Sequence, residues 1–361
     1  MAYQLYSYQD IRVLHLEPST RCQAGCPMCG RNISGGKTRA NLPLTDITLD
    51  RFKEWFDPDF LRQLRTISLC GNFGDPIITP ELVPILTYAR SVSPKLYLTM
   101  NTNGSARKPD FWQDLAQLGV VVHFALDGAT AESHARYRRH TRFPLILENA
   151  RTFVAAGGRA VWEMLVFEHN DTEVEEAERL SKEIGFEEFV LKSTNRFYGE
   201  DQKVLDERGG QVDVLRPSGR FPPSLIGANR PRSGALRTCG IDCKVMHDKS
   251  VYVAADGMVF PCCWLGSSFI DRPGVPDSRF GKPGHAYLDR YEALLSMVGA
   301  ENLNLANNPL AVIVNRYFSH LARGWLPGER RLEKCAQICG TTGIDPFTST
   351  YVARKDLTVS A

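Results

Sequence analysis

Short apolar segments alternate with amphipathic segments between residues 11 and 195. The apolar segments have the length and composition of buried strands, and the segments between them repeat apolar residues at helical spacing. We predict six strands, over residues 13–17, 66–70, 96–100, 120–126, 160–167 and 188–192. Because strands that alternate with helices form parallel sheets, this pattern predicts an α/β fold.

Helix signals separate the predicted strands. Thr48 can cap a helix that begins at Leu49, and Thr79-Pro80-Glu81 combines a capping hydroxyl, an N1 proline and a first-turn acid. Further helices are predicted over residues 109–118, 144–155 and 172–184, each followed by glycine. Six β/α units are fewer than the eight of a complete barrel. We therefore expect a partial (β/α)6 TIM-like barrel, with its site at the carboxyl ends of the strands.

The composition divides the chain into four parts. Residues 1–195 form the predicted barrel, and residues 196–237, rich in Arg, Gly, Pro and Asp, are a linker or a substrate-facing excursion. Residues 238–345 contain a predicted hairpin with an Asp-Gly turn at Asp256-Gly257, and a mainly helical stretch over 284–325. This part predicts a small α+β domain, and residues 346–361 form a C-terminal tail.

Charge and hydropathy exclude several classes of protein. The 361 residues include 43 Lys and Arg against 41 Asp and Glu, a net charge of +2. This balance, without a basic and aromatic stripe, argues against nucleic-acid binding. No apolar run approaches the roughly 18–20 residues that span a bilayer. The N-terminus lacks the pattern of a signal peptide, so we expect a cytoplasmic protein with no membrane partner.

Cysteines supply the candidate chemistry. In a reducing compartment, clustered cysteines indicate metal sites more than disulfides, and all of the ten except Cys70 lie in tight groups. The first group, Cys22-x3-Cys26-x2-Cys29, follows the first predicted strand. Three thiolates on a [4Fe–4S] cluster leave one iron open. A zinc site would need a fourth ligand, for which His15 is the nearest candidate.

This cysteine loop resembles the CxxxCxxC signature of the radical S-adenosylmethionine (SAM) enzymes, which follows the first strand of a partial barrel. The resemblance implies a [4Fe–4S] cluster bound by Cys22, Cys26 and Cys29, with SAM as its remaining ligand. It also implies that SAM is cleaved reductively to a 5′-deoxyadenosyl radical, which takes a hydrogen atom from a substrate. A ferredoxin or flavodoxin would donate the electron.

The turns after the second and third strands are candidates for SAM binding. Gly74-Asp75 stands where members of the family have a Gly-Gly-Glu type of motif that binds the amino group of SAM, and Asp75 offers an acceptor for an ammonium group. Asn103, with Thr102 as the second choice, could bond the ribose hydroxyls. The resemblance therefore implies SAM contacts at Gly74, Asp75, Thr102 and Asn103.

Two charged residues beyond the fourth strand complete the predicted SAM site. Asp127 is either a polar contact or a residue that caps its loop. Arg138, in preference to Arg139, would hold the SAM carboxylate, because a guanidinium can bind a carboxylate through two parallel hydrogen bonds.

A second cysteine group lies in the last third of the chain. Together with the predicted hairpin, it resembles the auxiliary-cluster cap called SPASM, and more closely its shortened form, the twitch domain. The resemblance implies one auxiliary [4Fe–4S] cluster bound by Cys243, Cys262, Cys335 and Cys339. Cys239 could replace Cys243, and Cys263 could replace Cys262. A structural zinc site is the alternative.

The resemblance also implies a substrate class. Family members with this cap modify peptides, so we expect crosslinking, epimerisation or excision in a ribosomally made peptide, aided by a separate peptide-recognition protein. The alternative is dehydrogenation or epimerisation of a small molecule such as an aminocyclitol or aminoglycoside. An alternative of another class is a structural zinc or Fe–S protein without catalysis.

Overall fold

The fold is built on one nine-stranded sheet and a separate two-stranded hairpin. The computed structural model describes residues 5–192, 194, 196–197, 200–221, 238–270, 286–326, 331–340 and 352–353. The strands are β1 Val13–Leu16, β2 Thr66–Leu69, β3 Tyr97–Thr102, β4 Val120–Ala125, β5 Arg159–Leu165, β6 Glu188–Lys192, β7 Gln202–Leu205, β8 Gln211–Leu215, β9 Ser250–Val253, β10 Val259–Phe260 and β11 Val352–Ala353.

Helices follow most of the barrel strands and fill the C-terminal part. They are α1 Leu49–Trp55, α2 Pro58–Gln63, α3 Leu82–Val92, α4 Pro109–Gln117, α5 Ala131–Tyr137, α6 Phe143–Ala155, α7 Val174–Ile184, α8 Lys244–Asp248, α9 Cys263–Phe269, α10 Ala286–Val298, α11 Leu310–Val312, α12 Phe318–Leu321 and α13 Glu333–Cys339. Within these described ranges, every helix is too short or too polar to cross a bilayer.

Strands β1 to β6 lie side by side in chain order and all run parallel, so the prediction of a partial (β/α)6 barrel is confirmed. Each predicted strand is present, with ends shifted by at most two residues. The predicted helix start at Thr79-Pro80-Glu81 is wrong, because α3 begins at Leu82. The Glu81 carboxylate instead accepts a hydrogen bond from the Leu49 amide, at the start of α1 (2.8 Å).

The two faces of the barrel sheet differ in polarity. On the outer face, Phe124, Trp162 and their apolar neighbours are fully buried against the helices. On the inner face, alternate residues of the same strands are polar and less buried, and the central ones are His15, Ser68, Thr99, Asn101, His123, Glu163 and Lys192. Closed barrels fill this interior with branched apolar side chains. Here the inner face instead forms a polar lumen.

The C-terminal part shares the sheet of the barrel. Strand β9 pairs in parallel with β1, with His15 opposite Tyr252, and β10 returns antiparallel to β9. At the other edge, β11 pairs antiparallel with β6. The predicted hairpin around Asp256-Gly257 is therefore present, and its first strand extends the barrel sheet.

Residues 202–215, inside the predicted linker, form the antiparallel hairpin β7–β8. Val204 and Leu215 pack with Ala24, Cys26 and Met28 of the cysteine loop (residues 22–29), and Leu205 donates its amide hydrogen to the Ser34 carbonyl (2.9 Å). The hairpin thus covers one side of that loop. Residues 222–237 and most of the predicted tail, 346–361, lie outside the described residues.

Candidate functional site

The cysteine loop begins six residues beyond the end of β1, at the carboxyl edge of the sheet. Cys22, Cys26 and Cys29 pack in one apolar cluster with Tyr137 and Phe167. Burial is the largest cause that raises the pKa of Cys26, to about 11. Among the described residues, no three His, Cys, Asp or Glu side chains lie close enough together to hold a single metal ion. The structure thus places the three thiols in one apolar cluster beside the carboxyl edge of the sheet.

Glu17, which directly follows β1, fixes the glycine-rich turn of residues 71–74. Its side chain is fully buried, and Oε1 accepts hydrogen bonds from the amides of Phe73 (2.7 Å) and Gly74 (3.0 Å). The Asn72 amide also bonds this carboxylate. Successive amides that point at one anion form a nest, so the carboxylate holds the turn in shape.

The same carboxylate joins this turn to the C-terminal part. The Tyr252 hydroxyl, on β9, donates a hydrogen bond to Glu17 Oε2. Asn72 Nδ2 donates to the Cys263 carbonyl (2.9 Å), which gives a second link between the two regions. Burial is the main cause that raises the pKa of Glu17, to about 7, although the hydrogen bonds to it act in the opposite direction. The predicted SAM turn is therefore linked to β9 through Glu17 and is bonded to Cys263 through Asn72.

Gly74 lies against the start of the cysteine loop. A Cβ atom at this position would lie 1.7 Å from the Ser19 carbonyl oxygen, so any other residue would displace the backbone. The next residue, Asp75, donates its amide hydrogen to the Arg21 carbonyl (2.9 Å). The turn after β2 is thereby fastened to the segment that leads into Cys22.

The buried Asp75 carboxylate organises the end of β3. Oδ1 accepts from Thr102 Oγ1 (2.7 Å), and Oδ2 accepts from the Asn103 amide (2.7 Å) and from Asn103 Nδ2 (2.6 Å). Asn103 Nδ2 also lies 3.6 Å from Cys22 Sγ. Three of the predicted SAM residues, Asp75, Thr102 and Asn103, therefore form one network that touches the first cysteine.

Asp127 organises the opposite side of the loop. Its side chain is fully buried, and Oδ2 accepts from Arg138 Nε (2.6 Å) while Oδ1 accepts from the Leu165 amide (2.6 Å). Arg138 Nη1 lies 3.9 Å from Cys26 Sγ. Arg139 has a different environment, since its Nη1 donates to the Gly35 carbonyl (3.1 Å) and to the Leu205 carbonyl of the β7–β8 hairpin.

Four cysteines of the second group interact electrostatically with one another, and we call them the auxiliary thiols: Cys243, Cys262, Cys335 and Cys339. A hydrogen bond with Cys339 is the largest cause that raises the pKa of Cys243. Burial chiefly raises the pKa of Cys262, to about 11, and nearby Cys339 raises it further. Cys335 lies one helical turn from Cys339 on α13. Burial is the main cause that raises its pKa, and nearby Cys262 and Cys339 raise this pKa further.

Backbone contacts explain how distant segments bring the auxiliary thiols together. Ile241 bridges to Gly340, and the Asp242 amide donates to the Cys339 carbonyl (2.8 Å). These contacts fasten the segment before Cys243 to the end of α13. The remaining two cysteines have other neighbours: Cys239 Sγ lies 3.3 Å from Arg331 Nη2, and Cys263 interacts electrostatically with Cys70 and Glu17 as well as with Cys262.

His15, the predicted alternative for a fourth zinc ligand, bonds elsewhere. Its Nε2 is 2.7 Å from the Cys70 carbonyl, and its ring meets the Tyr252 ring edge to face at 5.1 Å. Sequence reasoning missed Glu17 and Tyr252. A signal existed for Glu17, because a carboxylate directly after an apolar strand must find partners when it is buried. The sequence contained no such signal for Tyr252, because its partner is known only once β9 pairs with β1.

Comparison with known proteins identifies the larger part of the barrel. Residues 16–181 match the model of the Radical SAM superfamily, and this match contains the three-cysteine loop and all six predicted SAM residues. No curated protein sequence matches this chain.

Several solved structures are similar to the chain. SuiB of Streptococcus suis bound to S-adenosylmethionine is 15% identical over 78% of this chain and 65% of its own, with a TM-score of 0.48. The structure of anSMEcpe with bound AdoMet is 19% identical over 70% of this chain and 72% of its own (TM-score 0.48). BtrN in complex with AdoMet and 2-DOIA is 13% identical over 93% of this chain and 95% of its own (TM-score 0.45). The chain therefore spans less than two thirds of the length of SuiB.

The raised pKa of Glu17 predicts a pH-dependent stability. Its pKa is about 7 in the folded protein against an ordinary value of 4.5, so its contribution to folding is full below pH 4.5 and is lost as the pH rises through 7. We compare the free energy of unfolding of the wild type with that of Glu17→Gln by urea denaturation. Relative to the variant, the wild-type value should fall by on the order of 3 kcal/mol across this pH interval.

Glu168→Gln is the matched control, because Glu168 is exposed and pairs with Arg216 at the surface. The difference between this control and the wild type should stay constant over the same pH range. Parallel curves for Glu17→Gln and the wild type would show that Glu17 ionises normally.

Proposed function

We propose that this chain, whose residues 16–181 match the model of the Radical SAM superfamily, is an enzyme that cleaves SAM reductively to a 5′-deoxyadenosyl radical and abstracts a hydrogen atom from a substrate. The observation that carries the proposal is the contact of two buried networks with the cysteine loop. Asn103, held by Asp75, approaches Cys22, and Arg138, held by Asp127, approaches Cys26.

Cys22, Cys26 and Cys29 would hold a [4Fe–4S] cluster as thiolates. When bound, this cluster supplies one electron and an open iron that chelates the amino and carboxylate groups of SAM. The protein supplies the surroundings: Ala24, Met28 and the β7–β8 hairpin enclose the thiols in apolar contacts, which exclude water.

Arg138 is the residue we propose for the SAM carboxylate. Its Nε is used by Asp127, and its Nη1 lies 3.9 Å from Cys26 Sγ, so the free end of the guanidinium group faces the cysteine loop and could bind the carboxylate there. Asp127 thus serves as the residue that orients Arg138. A guanidinium already held by a buried carboxylate loses little freedom when it binds its ligand.

On the other side, we propose that Gly74 and Asp75 recognise the SAM amino group and that Thr102 and Asn103 recognise the ribose. Both oxygens of Asp75 accept hydrogen bonds from the end of β3. This favours the Gly74 carbonyl as the direct ammonium acceptor, with Asp75 as a positioning residue. Asn103 keeps its side chain at the cysteine loop, where Oδ1 also accepts from Gln23 Nε2 (2.8 Å).

The auxiliary thiols would hold one further [4Fe–4S] cluster. The electrostatic interactions among Cys243, Cys262, Cys335 and Cys339 support these four as its ligands. The Glu17–Tyr252 bond would then connect the region of this cluster with the SAM turn. A low-potential ferredoxin or flavodoxin is the proposed electron donor.

We propose that the substrate is a peptide, modified by crosslinking, epimerisation or excision, and presented by a separate recognition protein. The polar lumen favours a second candidate, the dehydrogenation or epimerisation of an aminocyclitol or aminoglycoside. Charged and amide side chains at Asn101, His123, Glu163 and Lys192 could satisfy the hydroxyl and amino groups of such a molecule.

Anaerobic reconstitution tests the enzyme proposal. Wild-type protein should bind about eight irons, two clusters of four, and should release 5′-deoxyadenosine from SAM under a strong reductant. Cys26→Ala should lose the nucleoside and about half of the iron. Cys70→Ala, which changes a cysteine outside both proposed ligand sets, should keep both. Zinc in place of iron, together with no nucleoside from the wild type, would refute the proposal.

The assignment of Arg138 predicts a difference between two neighbouring arginines. Arg138→Lys should weaken SAM binding about tenfold, because an ammonium cannot form the paired hydrogen bonds of a guanidinium. Arg139→Lys is the matched control and should bind SAM with unchanged affinity. Equilibrium dialysis of the reconstituted protein with radiolabelled SAM measures both, and a larger loss in Arg139→Lys would reverse the assignment.

Deuterium transfer separates the two substrate classes. The reconstituted enzyme is supplied with SAM and either a perdeuterated peptide pool or perdeuterated 2-deoxystreptamine, and 5′-deoxyadenosine is analysed by mass spectrometry. We expect deuterium from the peptide pool. Deuterium from the cyclitol alone would favour the second candidate.

A further inference from the structure

Four polar side chains from four adjacent strands meet in the lumen. Glu163 on β5 lies at their centre: Oε1 is 3.0 Å from His123 Nδ1, and Oε2 accepts from Asn101 Nδ2 (3.1 Å) and from Lys192 Nζ. We call this set the lumen cluster: Asn101, His123, Glu163 and Lys192. None of these residues contributes to the proposed binding of SAM or of either Fe–S cluster.

Two strands lead from the lumen cluster to the proposed SAM site. Directly after β3, Asn103 follows Asn101 by two residues, and its Nδ2 lies 3.6 Å from Cys22 Sγ. On β5, Leu165 follows Glu163 by two residues, and its amide bonds Asp127, which holds Arg138. Because a strand rises about 3.3 Å per residue, the lumen cluster lies about 7 Å below that site. A substrate beneath SAM would therefore contact the cluster.

Glu163 determines which nitrogen of His123 carries the proton. Burial by itself would raise the pKa of Glu163, but the hydrogen bond with His123 and the charge of Lys192 outweigh it and hold this pKa below its ordinary value. The carboxylate is thus ionised and can only accept hydrogen bonds. His123 Nδ1 must carry the hydrogen, which leaves the lone pair of neutral imidazole on Nε2.

His123 is also open on the lumen side. It lies on β4, between β3 and β5, and the outer face of the sheet is buried by helices. Its side chain is nevertheless 26% exposed. Both edges of β4 are paired, with β3 and with β5, so the exposed part of the ring lies in the lumen. Nε2 is the ring nitrogen that Glu163 does not use.

We propose that His123 Nε2 accepts a proton from a hydroxyl or ammonium group of the substrate, with Glu163 as the residue that positions the ring. The X–H bond of the substrate breaks, its electron pair stays on X, and an N–H bond forms at Nε2. The resulting imidazolium is stabilised by the Glu163 carboxylate at Nδ1. This inference rests on the proposed function, since it assumes that the substrate enters the lumen beneath SAM.

The other titratable groups that face the lumen cluster are unsuited to this role. His15, on β1, already uses Nε2 with the Cys70 carbonyl and is neutral, because burial lowers its pKa. Burial raises the pKa of Cys70, beyond β2, to about 12, and nearby Glu163 raises it further. Lys192 is bonded to Glu163. His123 is the member of this set that is bonded to Glu163 through one ring nitrogen and is exposed to the lumen with the other.

Diethyl pyrocarbonate tests whether His123 Nε2 is unprotonated and accessible, because the reagent acylates an imidazole ring only under these two conditions. The reconstituted holoenzyme is treated anaerobically near neutral pH, and modified histidines are located by peptide mass spectrometry. His123 should react much faster than His134, which is fully buried and has both ring nitrogens hydrogen-bonded. The rate for the unprotonated ring, taken from the plateau of a pH series, should be about fivefold slower in Glu163→Gln, because one hydrogen bond no longer fixes the tautomer.

Glu187→Gln is the matched control, since Glu187 is exposed and pairs with Arg159 at the amino end of β5. Its His123 should react at the wild-type rate. An unreactive His123 in the wild type would overturn the inference without any variant, and so would an unchanged rate in folded Glu163→Gln. The release of 5′-deoxyadenosine by the wild type is measured in parallel, so failure of the proposed function is scored separately.

Discussion

A buried carboxylate at the end of β1 holds the site together. Glu17 has no access to solvent, and hydrogen bonds from three backbone amides of the turn after β2 and from the Tyr252 hydroxyl offset part of the cost of burying its carboxyl group. Burying such a charge is costly unless every bond is made. The first strand, the glycine-rich turn and β9 must therefore all be in place together. The residues that follow Glu17 lead directly into the cysteine loop, so the position of the thiols depends on the same constraint.

Two further carboxylates act through their neighbours. Asp75 fixes Asn103 against Cys22, and Asp127 fixes Arg138 against Cys26. Each is buried, and each gives its oxygens to protein donors from another strand or loop. The proposed cofactor site is thus lined by an amide and a guanidinium whose positions were set during folding. This arrangement lowers the entropic cost of binding, since the contacting groups are already oriented.

The sheet also links the two proposed clusters and the lumen. Since β9 pairs with β1, the segment that carries Cys262 and Cys263 begins beside the strand that leads into the cysteine loop. The inner face of the same sheet presents Glu163 and its partners, while the outer face packs against helices. One continuous backbone ladder therefore positions the auxiliary thiols, the cysteine loop and the lumen cluster relative to one another.

The amino-acid sequence was enough to predict the β/α alternation, the three-cysteine loop after β1 and the polar turns after β2, β3 and β4. These features are local: strand periodicity, helix caps and cysteine spacing each depend on neighbours a few residues away. Three other features became visible only in the folded chain: Asp75 and Asp127 support Asn103 and Arg138, β9 extends the barrel sheet, and Glu163 bonds side chains of three other strands. Each of these depends on side chains far apart in the chain, and the bonds that a buried polar group makes are known only once the strands are aligned. The start of α3 at Leu82 shows the same limit, because the Glu81 carboxylate accepts a hydrogen bond from the Leu49 amide, which is distant in the sequence.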